Sequence, residues 1–176
     1  MGIVLILGGA RSGKSSRAEV IAKAWHSKPY YIATAPLIDD DPEWLARIEH
    51  HRRQRGELWK LIEEELALAA VLQNSATTGQ VVLVDCMTLW LSNLLFAERN
   101  MGDAVEQLCA LLPKLAGTVI LVANEVGMGL VPDSAEGRIF RDAQGHLNQK
   151  LAALADHVEF VAAGLPICLK GEAIEC

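Results

Sequence analysis

The feature that most constrains the fold of this chain is a glycine-rich segment at residues 8–15. It reads GGARSGKS and matches the phosphate-loop pattern G-x-x-x-x-G-K-[ST] in full. The all-apolar run Ile3 to Leu7 precedes the segment, and a helical pattern from Ser15 to Trp25 follows it. Because the motif requires a strand before it and a helix after it, this context favours a phosphate loop over a chance glycine turn.

The chemistry of this segment predicts a nucleotide site. Glycines let the backbone curl so that its N–H groups point at phosphate oxygens, and the start of the helix adds partial positive charge. Lys14 is predicted to reach the β- and γ-phosphates, and the Ser15 hydroxyl to bind Mg²⁺. The residues expected to bind nucleotide here are Gly8, Gly9, Ala10, Arg11, Ser12, Gly13, Lys14 and Ser15.

An acidic residue follows another buried run further along the chain. Asp85 ends the apolar segment Val81 to Val84, and phosphate-loop proteins hold Mg²⁺ with a carboxylate at the end of such a strand. We therefore predict that Asp85 is a magnesium ligand, directly or through water, and part of the nucleotide site. The alternative is that its carboxylate caps the helix that follows.

Buried strand patterns alternate with helical patterns from one end of the chain to the other, which predicts an α/β fold with a mostly parallel sheet. The length of 176 residues fits one domain spanning 1–176. The predicted strands are Ile3 to Leu7, Tyr30 to Ala33, Val81 to Val84, Thr118 to Ala123, Val158 to Ala162 and Ile167 to Leu169. The predicted helices are Ser15 to Trp25, Pro42 to Arg55, Glu64 to Leu72, Leu89 to Arg99, Ala104 to Leu115 and Arg138 to Asp156. Since only Gly164-Leu165-Pro166 joins the last two strands, we expect an antiparallel hairpin at the edge of the sheet.

A basic segment interrupts the otherwise acidic chain at residues 47–55, with four arginines and two histidines in nine residues. On a helix, Arg47, His51 and Arg55 share one face because their spacing is i, i+4, i+8, whereas His50 points about 100° away. Such a face could bind a polyphosphate, and a neutral imidazole there could attack the α-phosphate of a nucleotide. The alternative is a solvated basic helix face, as most charge runs are.

Composition argues against several other classes of protein. The formal net charge of −6 does not suit a general nucleic-acid-binding protein, which usually carries a basic face. No apolar run approaches the ~20 residues that span a membrane, and residues 1–7 lack the basic region of a signal peptide. The four cysteines show neither CxxC pairing nor zinc spacing, which predicts a reduced, cytoplasmic protein.

Beyond these segments, the sequence resembles the bifunctional adenosylcobinamide kinase/adenosylcobinamide-phosphate guanylyltransferase family over nearly the whole chain. The phosphate loop at 8–15 has that family's form, and Tyr31 to Thr34 follows at the expected place. The combination of Arg47-Ile48-x-x-His51 with Arg55, Trp59 and Glu63 is similar to the family's guanylylation segment. Further similar motifs are Asp85-Cys86-x-Thr88-x-Trp90-x-x-Asn93, Asn124-Glu125-Val126-Gly127-x-Gly129-x-Val131-Pro132 and Arg138-x-Phe140-Arg141-Asp142-x-x-Gly145-x-x-Asn148-Gln149. Many unrelated enzymes share the phosphate loop, but these later motifs in this order are specific.

The resemblance implies two reactions and a RecA-like phosphate-loop fold. ATP or GTP would phosphorylate the aminopropanol hydroxyl of adenosylcobinamide. GTP would then guanylylate a histidine, and the GMP would pass to adenosylcobinamide phosphate to give adenosyl-GDP-cobinamide, an intermediate of cobalamin biosynthesis. Members of the family resemble one another in forming trimers, so the resemblance also implies a homotrimer.

The resemblance further implies which residues serve these steps. The family's guanylylated histidine corresponds to His51, in agreement with the same-face spacing, and His50 is its immediate neighbour. Besides the phosphate loop and Asp85, the family's nucleotide contacts correspond to Thr34, Ala35, Pro36, Arg52, Arg53, Gln54 and Glu63. One departure is Gly56, where the family often has proline after the arginine that corresponds to Arg55. Glycine still suits a turn at that position.

The segment after the strand pattern that ends at Ala123 has two interpretations. Residues 124–137 contain four glycines or prolines, which predicts a loop. Asn124 and Glu125 either contact the corrinoid or form a structural turn at the carboxyl edge of the sheet, where open α/β sheets bind ligands.

Other functions compatible with a phosphate loop predict different features. A small-molecule kinase without the transferase half would form no covalent GMP and would need no special role for His51. A guanine-nucleotide switch should carry an N-K-x-D motif, and the chain has Asn124-Glu125-Val126-Gly127 instead. A transferase that had lost the kinase reaction would not require an intact phosphate loop.

Overall fold

The computed structural model describes residues 2–36, Ala46 and residues 58–175. Within these ranges the strands are β1 (Ile3–Gly8), β2 (Tyr30–Ala33), β3 (Lys60–Glu63), β4 (Val81–Asp85), β5 (Thr118–Asn124), β6 (His157–Ala162) and β7 (Leu165–Lys170). The helices are α1 (Lys14–Trp25), α2 (Leu68–Ser75), α3 (Met87–Phe96), α4 (Met101–Leu111) and α5 (Ala135–Leu154), and a short 3₁₀ helix (Leu112–Lys114) follows α4. The predicted helix Pro42 to Arg55 lies, apart from Ala46, outside the described residues.

The strands form one sheet in the order β3-β2-β4-β5-β1-β6-β7. Every pairing is parallel except that of β6 with β7, which is antiparallel. The predicted α/β fold with a mostly parallel sheet and an antiparallel edge hairpin is therefore confirmed. Because parallel strands end at the same edge, the carboxyl ends of β1, β2, β4 and β5 lie side by side.

The sheet packs against helices on both faces. Side chains alternate along β1, so that Leu5 belongs to one apolar cluster and Ile6 to the other. The Leu5 cluster contains residues of α2, α3, α4 and α5, such as Leu72, Trp90 and Leu151. The Ile6 cluster contains Ala18, Ile21 and Ala22 of α1. Because α1 packs on the Ile6 side of the sheet, its first residues and the phosphate loop before them are fixed at the carboxyl edge of the sheet.

One strand was not predicted. Residues Lys60–Glu63 form β3 at the edge of the sheet and pair with β2, and the predicted helix Glu64 to Leu72 begins only at Leu68. The side-chain oxygen Oε1 of Glu64 accepts hydrogen bonds from the backbone N–H groups of Leu66 and Ala67, at 2.8 and 2.7 Å. These bonds stabilise a turn between β3 and α2, which is why the Glu-rich segment does not continue as helix.

The other element boundaries differ from prediction by a few residues, for identifiable reasons. Helix α4 begins three residues before the predicted Ala104 because the Asn100 side chain caps it by accepting from the backbone N–H of Asp103 at 3.2 Å. It gives way to the 3₁₀ turn that contains Pro113. Helix α5 begins at Ala135, where the Ser134 hydroxyl accepts from the backbone N–H of Gly137 at 3.0 Å.

The hairpin between β6 and β7 has a tighter turn than predicted. Leu165 and Pro166 belong to β7, so only Ala163 and Gly164 connect the two strands. Both residues have positive φ, 51° and 80°, as a two-residue hairpin turn requires.

None of the helices in residues 2–36 and 58–175 combines the length and the apolar composition needed to cross a bilayer.

Candidate active site

The phosphate loop connects the carboxyl end of β1 to the start of α1 and packs closely against the β6–β7 hairpin. Gly13 has a φ of 96°, and a Cβ atom built on it would lie 3.1 Å from the Cα of Gly164. A Cβ on Gly8 would lie 2.5 Å from the carbonyl oxygen of Val161. Any larger residue at Gly8 or Gly13 would therefore displace the loop from the sheet.

Hydrogen bonds hold the loop and its lysine in place. The N–H of Ser12 donates to the carbonyl of Gly9 at 3.3 Å, and the N–H of Gly164 donates to the carbonyl of Ser12 at 2.8 Å. The side chain of Lys14 bends back over the loop, where Nζ donates to the Gly9 carbonyl at 3.2 Å. Lys14 is only 9% exposed, which places an ammonium group inside the loop that is predicted to bind phosphates.

Asp85 ends β4, separated from the phosphate-loop strand β1 by β5 alone. The hydroxyl of Tyr31 donates to its carboxylate oxygen Oδ2 at 2.9 Å, which orients the side chain. Burial, together with the Asp85 carboxylate, raises the pKa of the Cys86 thiol to about 11, while the Lys14 ammonium acts in the opposite direction. Asp85 and the loop that contains Lys14 both follow carboxyl ends of parallel strands, so they lie at the same edge of the sheet.

Thr34 follows β2 and has a structural role that the sequence motifs did not indicate. It is fully buried, its hydroxyl donates to the Cys86 carbonyl at 2.7 Å, and the same oxygen accepts from the Cys86 N–H at 2.8 Å. The side-chain amide of Asn93 donates to the Thr34 carbonyl at 2.8 Å. Thr34 therefore joins β2 to the residue after Asp85, whereas Ala35 and Pro36 are partly exposed.

The structure brings some predicted site residues together and leaves others apart. The phosphate loop, Thr34 and Asp85 share the carboxyl edge of the sheet. Glu63 is at the same edge but ends the outermost strand β3. The predicted nucleophile His51 and three predicted nucleotide contacts of the basic segment lie outside the described residues: Arg52, Arg53 and Gln54.

Sequence reasoning missed an ion pair that anchors α1 to the sheet. The guanidinium of Arg17 donates from Nε and Nη2 to the two carboxylate oxygens of Glu159 on β6, both at 2.8 Å. It also donates to the carbonyl of Ile174 at 2.6 Å. Arg17 lies one turn into α1, so this pair fixes the helix that carries the phosphate loop.

We expect the Arg17–Glu159 pair to make stability depend on acid pH. Burial alone would raise the pKa of Glu159, but the hydrogen bonds from Arg17 and His157 outweigh it and hold the pKa below its ordinary value of 4.5. The ionised Glu159 therefore contributes its full stabilisation of the folded state above pH 4.5, and this stabilisation is lost as the pH falls through the folded-state pKa. Glu159→Gln should lower the free energy of unfolding by about 1.5–3 kcal/mol at pH 7. In urea unfolding, its difference from wild type should shrink as the pH falls below 4.5, and a constant difference would contradict this assignment.

The buried Cys86 is expected to resist alkylation. With a pKa of about 11, roughly one thiol in a thousand is ionised at pH 8, and the thiolate is the reactive form. Cys168, which is exposed, serves as the internal comparison. Mass spectrometry after brief treatment with iodoacetamide should find Cys168 modified and Cys86 modified only after unfolding. Equal labelling of both in the folded protein would show that Cys86 is accessible and ionised.

The amino-acid sequence of this chain matches a known protein family. Residues 4–169 match the family described as cobinamide kinase/cobinamide phosphate guanyltransferase. The chain is 46% identical over 170 residues to the bifunctional adenosylcobalamin biosynthesis protein CobP of Pseudomonas aeruginosa, with 96% of this chain and 97% of the relative covered. It is 38% identical over 183 residues to the bifunctional adenosylcobalamin biosynthesis protein CobU of Escherichia coli, with 96% and 99% covered.

Solved structures at low sequence identity share the fold. An ATPase of a bacterial type III secretion system superposes with a TM-score of 0.56 at 13% identity, with 95% of this chain and 56% of that chain covered. The P4 protein from bacteriophage phi6, solved in complex with ADP, gives a TM-score of 0.50 at 14% identity, with 94% and 52% covered. The predicted phosphate-loop NTPase fold is therefore confirmed.

Proposed function

The chain belongs to the cobinamide kinase/cobinamide phosphate guanyltransferase family, and from this premise we propose how its residues carry out the two reactions. It is a bifunctional enzyme of cobalamin biosynthesis that acts as an adenosylcobinamide kinase and an adenosylcobinamide-phosphate guanylyltransferase. The observation that carries the proposal is the convergence of Lys14, the phosphate loop and Asp85 at one edge of the sheet, in a chain related over nearly its full length to bifunctional enzymes.

In the kinase reaction, the phosphate loop holds the triphosphate of ATP or GTP. The aminopropanol hydroxyl oxygen of adenosylcobinamide attacks the γ-phosphorus, its proton passes to solvent water, and the bond from that phosphorus to the β–γ bridging oxygen breaks. Charge then develops on the departing nucleoside diphosphate. Lys14 and the backbone N–H groups at the start of α1 stabilise that charge, since they are already oriented before the reaction begins.

The described residues fit a magnesium ion at this site. Ser15, in the first turn of α1, has a hydroxyl oxygen, and Asp85 has a carboxylate, both of which are oxygen donors that Mg²⁺ prefers. Residues 2–36 and 58–175 contain no cluster of three or more His, Cys, Asp or Glu side chains suited to a metal. When bound, Mg²⁺ would supply positive charge against the phosphates during transfer.

The guanylyl transfer proceeds through His51 in our proposal. A ring nitrogen of His51 attacks the α-phosphorus of GTP, the bond to the bridging oxygen breaks, and pyrophosphate leaves. A phosphate oxygen of adenosylcobinamide phosphate then attacks the same phosphorus, the P–N bond breaks, and adenosyl-GDP-cobinamide forms. Arg52 and Arg53 would offset charge on the pyrophosphate, and Gln54 would complete the nucleotide contacts. Support comes from the i, i+4, i+8 spacing of Arg47, His51 and Arg55 and from the bifunctional relatives.

Further parts of the proposal concern the remaining contacts and the assembly. Ala35, Pro36 and Glu63 line the nucleotide side of the site beside the buried Thr34, and the Asn124–Glu125 turn lies towards the corrinoid. One continuous sheet supports a single domain over residues 1–176. A cytoplasmic homotrimer is the proposed state, and the exposed apolar residues of the edge strand β7 (Leu165, Ile167 and Leu169) offer surface for subunit contacts.

The two-step activity is tested by comparing the corrinoid products formed with ATP alone and with ATP plus GTP. Purified protein is incubated with Mg²⁺, adenosylcobinamide and ATP, and the corrinoids are identified by mass spectrometry. We expect adenosylcobinamide phosphate with ATP alone and adenosyl-GDP-cobinamide once GTP is added. A product that remains at the phosphate in the presence of GTP would indicate a simple kinase. Absence of the phosphate itself would contradict the kinase assignment.

A further inference from the structure

A chain of buried amides connects α5 to the carboxyl end of β5. Gln144 and Asn148 lie one turn apart on α5, and they are 0% and 7% exposed. The Gln144 amide nitrogen Nε2 donates to Oδ1 of Asn148 at 2.8 Å. The Asn148 nitrogen Nδ2 donates in turn to the backbone carbonyl of Asn124 at 3.1 Å. Their neighbours on the same helix, Leu147 and Leu151, belong to the apolar core.

Burying two side-chain amides costs free energy of folding unless they are hydrogen-bonded. Apolar side chains of similar size would stabilise the core more. The bond from Gln144 ends on Asn148, and the bond from Asn148 ends on Asn124. That residue's N–H donates to the Thr88 hydroxyl of α3 at 2.7 Å. The next N–H, that of Glu125, donates to the carbonyl of Gly8 at 3.0 Å. The end of β5 is therefore held from α3, from α5 and from the phosphate loop itself.

The register of the sheet explains why this point matters. Asn124 pairs with Gly8, the first residue of the phosphate loop. On the other side, β5 pairs with β4, where Asp85 is opposite Val122, two residues before Asn124. Asn124 thus stands between the loop that holds the triphosphate and the carboxylate proposed to hold Mg²⁺. Its side-chain oxygen Oδ1 is buried and accepts no hydrogen bond from residues 2–36 and 58–175.

We propose that Gln144 and Asn148 are positioning residues for phosphoryl transfer, which act by holding Asn124 so that its side-chain amide contacts the reacting groups at the γ-phosphate. This inference rests on the phosphate-loop site proposed above. Asn124 touches the reacting groups, whereas the two amides of α5 act only through its backbone. A displacement of even about 1 Å in such a contact can cost a large factor in rate without weakening nucleotide binding.

The test is steady-state phosphorylation of adenosylcobinamide with ATP as the only nucleotide, so that no GMP transfer occurs. Asn124→Ala should lower kcat by roughly 10²-fold, and Asn148→Leu, which keeps a similar volume and removes the donor, by about 10-fold. The KM for ATP should change less than about threefold in both, because the phosphate loop is intact. Leu147→Ala is the matched control, since it removes packing one residue away on α5. It should lower the melting temperature and leave kcat unchanged.

The outcomes separate a positioning role from a purely structural one. If Asn148→Leu lowers only the melting temperature, as the control does, or if Asn124→Ala keeps the wild-type kcat, the inference is wrong. Should Asn148→Leu fail to fold, Gln144→Met removes only the outer link of the chain, and an unchanged kcat in that variant would equally refute the proposal. Failure of the proposed function would be recognised differently, because wild type itself would then form no adenosylcobinamide phosphate.

Discussion

His51→Ala should abolish covalent labelling of the protein by GTP that carries its label on the α-phosphate. The reason is chemical: the imidazole nitrogen is the proposed nucleophile, and alanine offers no atom that can form a bond to phosphorus. Transfer of GMP to adenosylcobinamide phosphate should fall by at least about 10³-fold, the scale expected when a covalent nucleophile is removed. Phosphorylation of adenosylcobinamide with ATP should persist, because the phosphate loop is not altered.

The neighbouring histidine provides a matched control for this experiment. His50 precedes His51 directly, and on a helix its side chain points about 100° away. After incubation with Mg²⁺ and labelled GTP, denaturing electrophoresis should show label on wild type and on His50→Ala, acid-labile and base-stable as expected of a phosphoramidate. Label that survives in His51→Ala and is lost in His50→Ala would move the nucleophile to His50. Absence of label from wild type would contradict the guanylyl-histidine mechanism altogether.

The parts of this site that were predictable are those encoded in short contiguous segments. The phosphate loop requires glycine at particular backbone positions, and the φ of 96° at Gly13 together with its close approach to Gly164 disfavours any side chain there. Asp85 was predictable because an acid directly after an apolar run marks the end of a buried strand. The parallel order of the sheet followed from the alternation of strand and helix patterns, since such crossovers place all carboxyl ends at one edge.

The features that were missed depend on contacts between distant parts of the chain. Arg17 and Glu159 are 142 positions apart, so neither residue alone indicates a buried pair. Strand β3 has four residues, with a half-buried and exposed alternation too short to stand out beside a Glu-rich helical pattern. The spacing of Gln144 and Asn148 places both on one helix face, but only the register of β5 reveals that this face meets the phosphate site. Composition and periodicity contain no information about such long-range partners.

Lys14→Ala is expected to lower both activities, because this chain contains a single match to the phosphate-loop pattern. Each reaction also releases a negatively charged leaving group, a nucleoside diphosphate or pyrophosphate, which the Lys14 ammonium would stabilise. The rate of adenosylcobinamide phosphorylation should fall by roughly 10³-fold, as when a preorganised group that stabilises the transition state is removed. Folding should persist, since the substitution removes a buried ammonium and the Gly9 carbonyl still accepts a hydrogen bond from the Ser12 N–H. Thermal unfolding measured beside the kinetics checks this point.

Lys23→Ala is the matched control, because Lys23 lies on the same helix and forms a surface pair with Glu19 at 3.1 Å. This variant should retain both activities.

Labelling of Lys14→Ala with α-labelled GTP then decides whether the two reactions share a nucleotide site. If His51 acts on GTP held by the phosphate loop, labelling falls together with phosphorylation, because Lys14 serves the departing pyrophosphate as it serves the departing diphosphate. Undiminished labelling in that variant would require a second site for GTP, formed without Lys14.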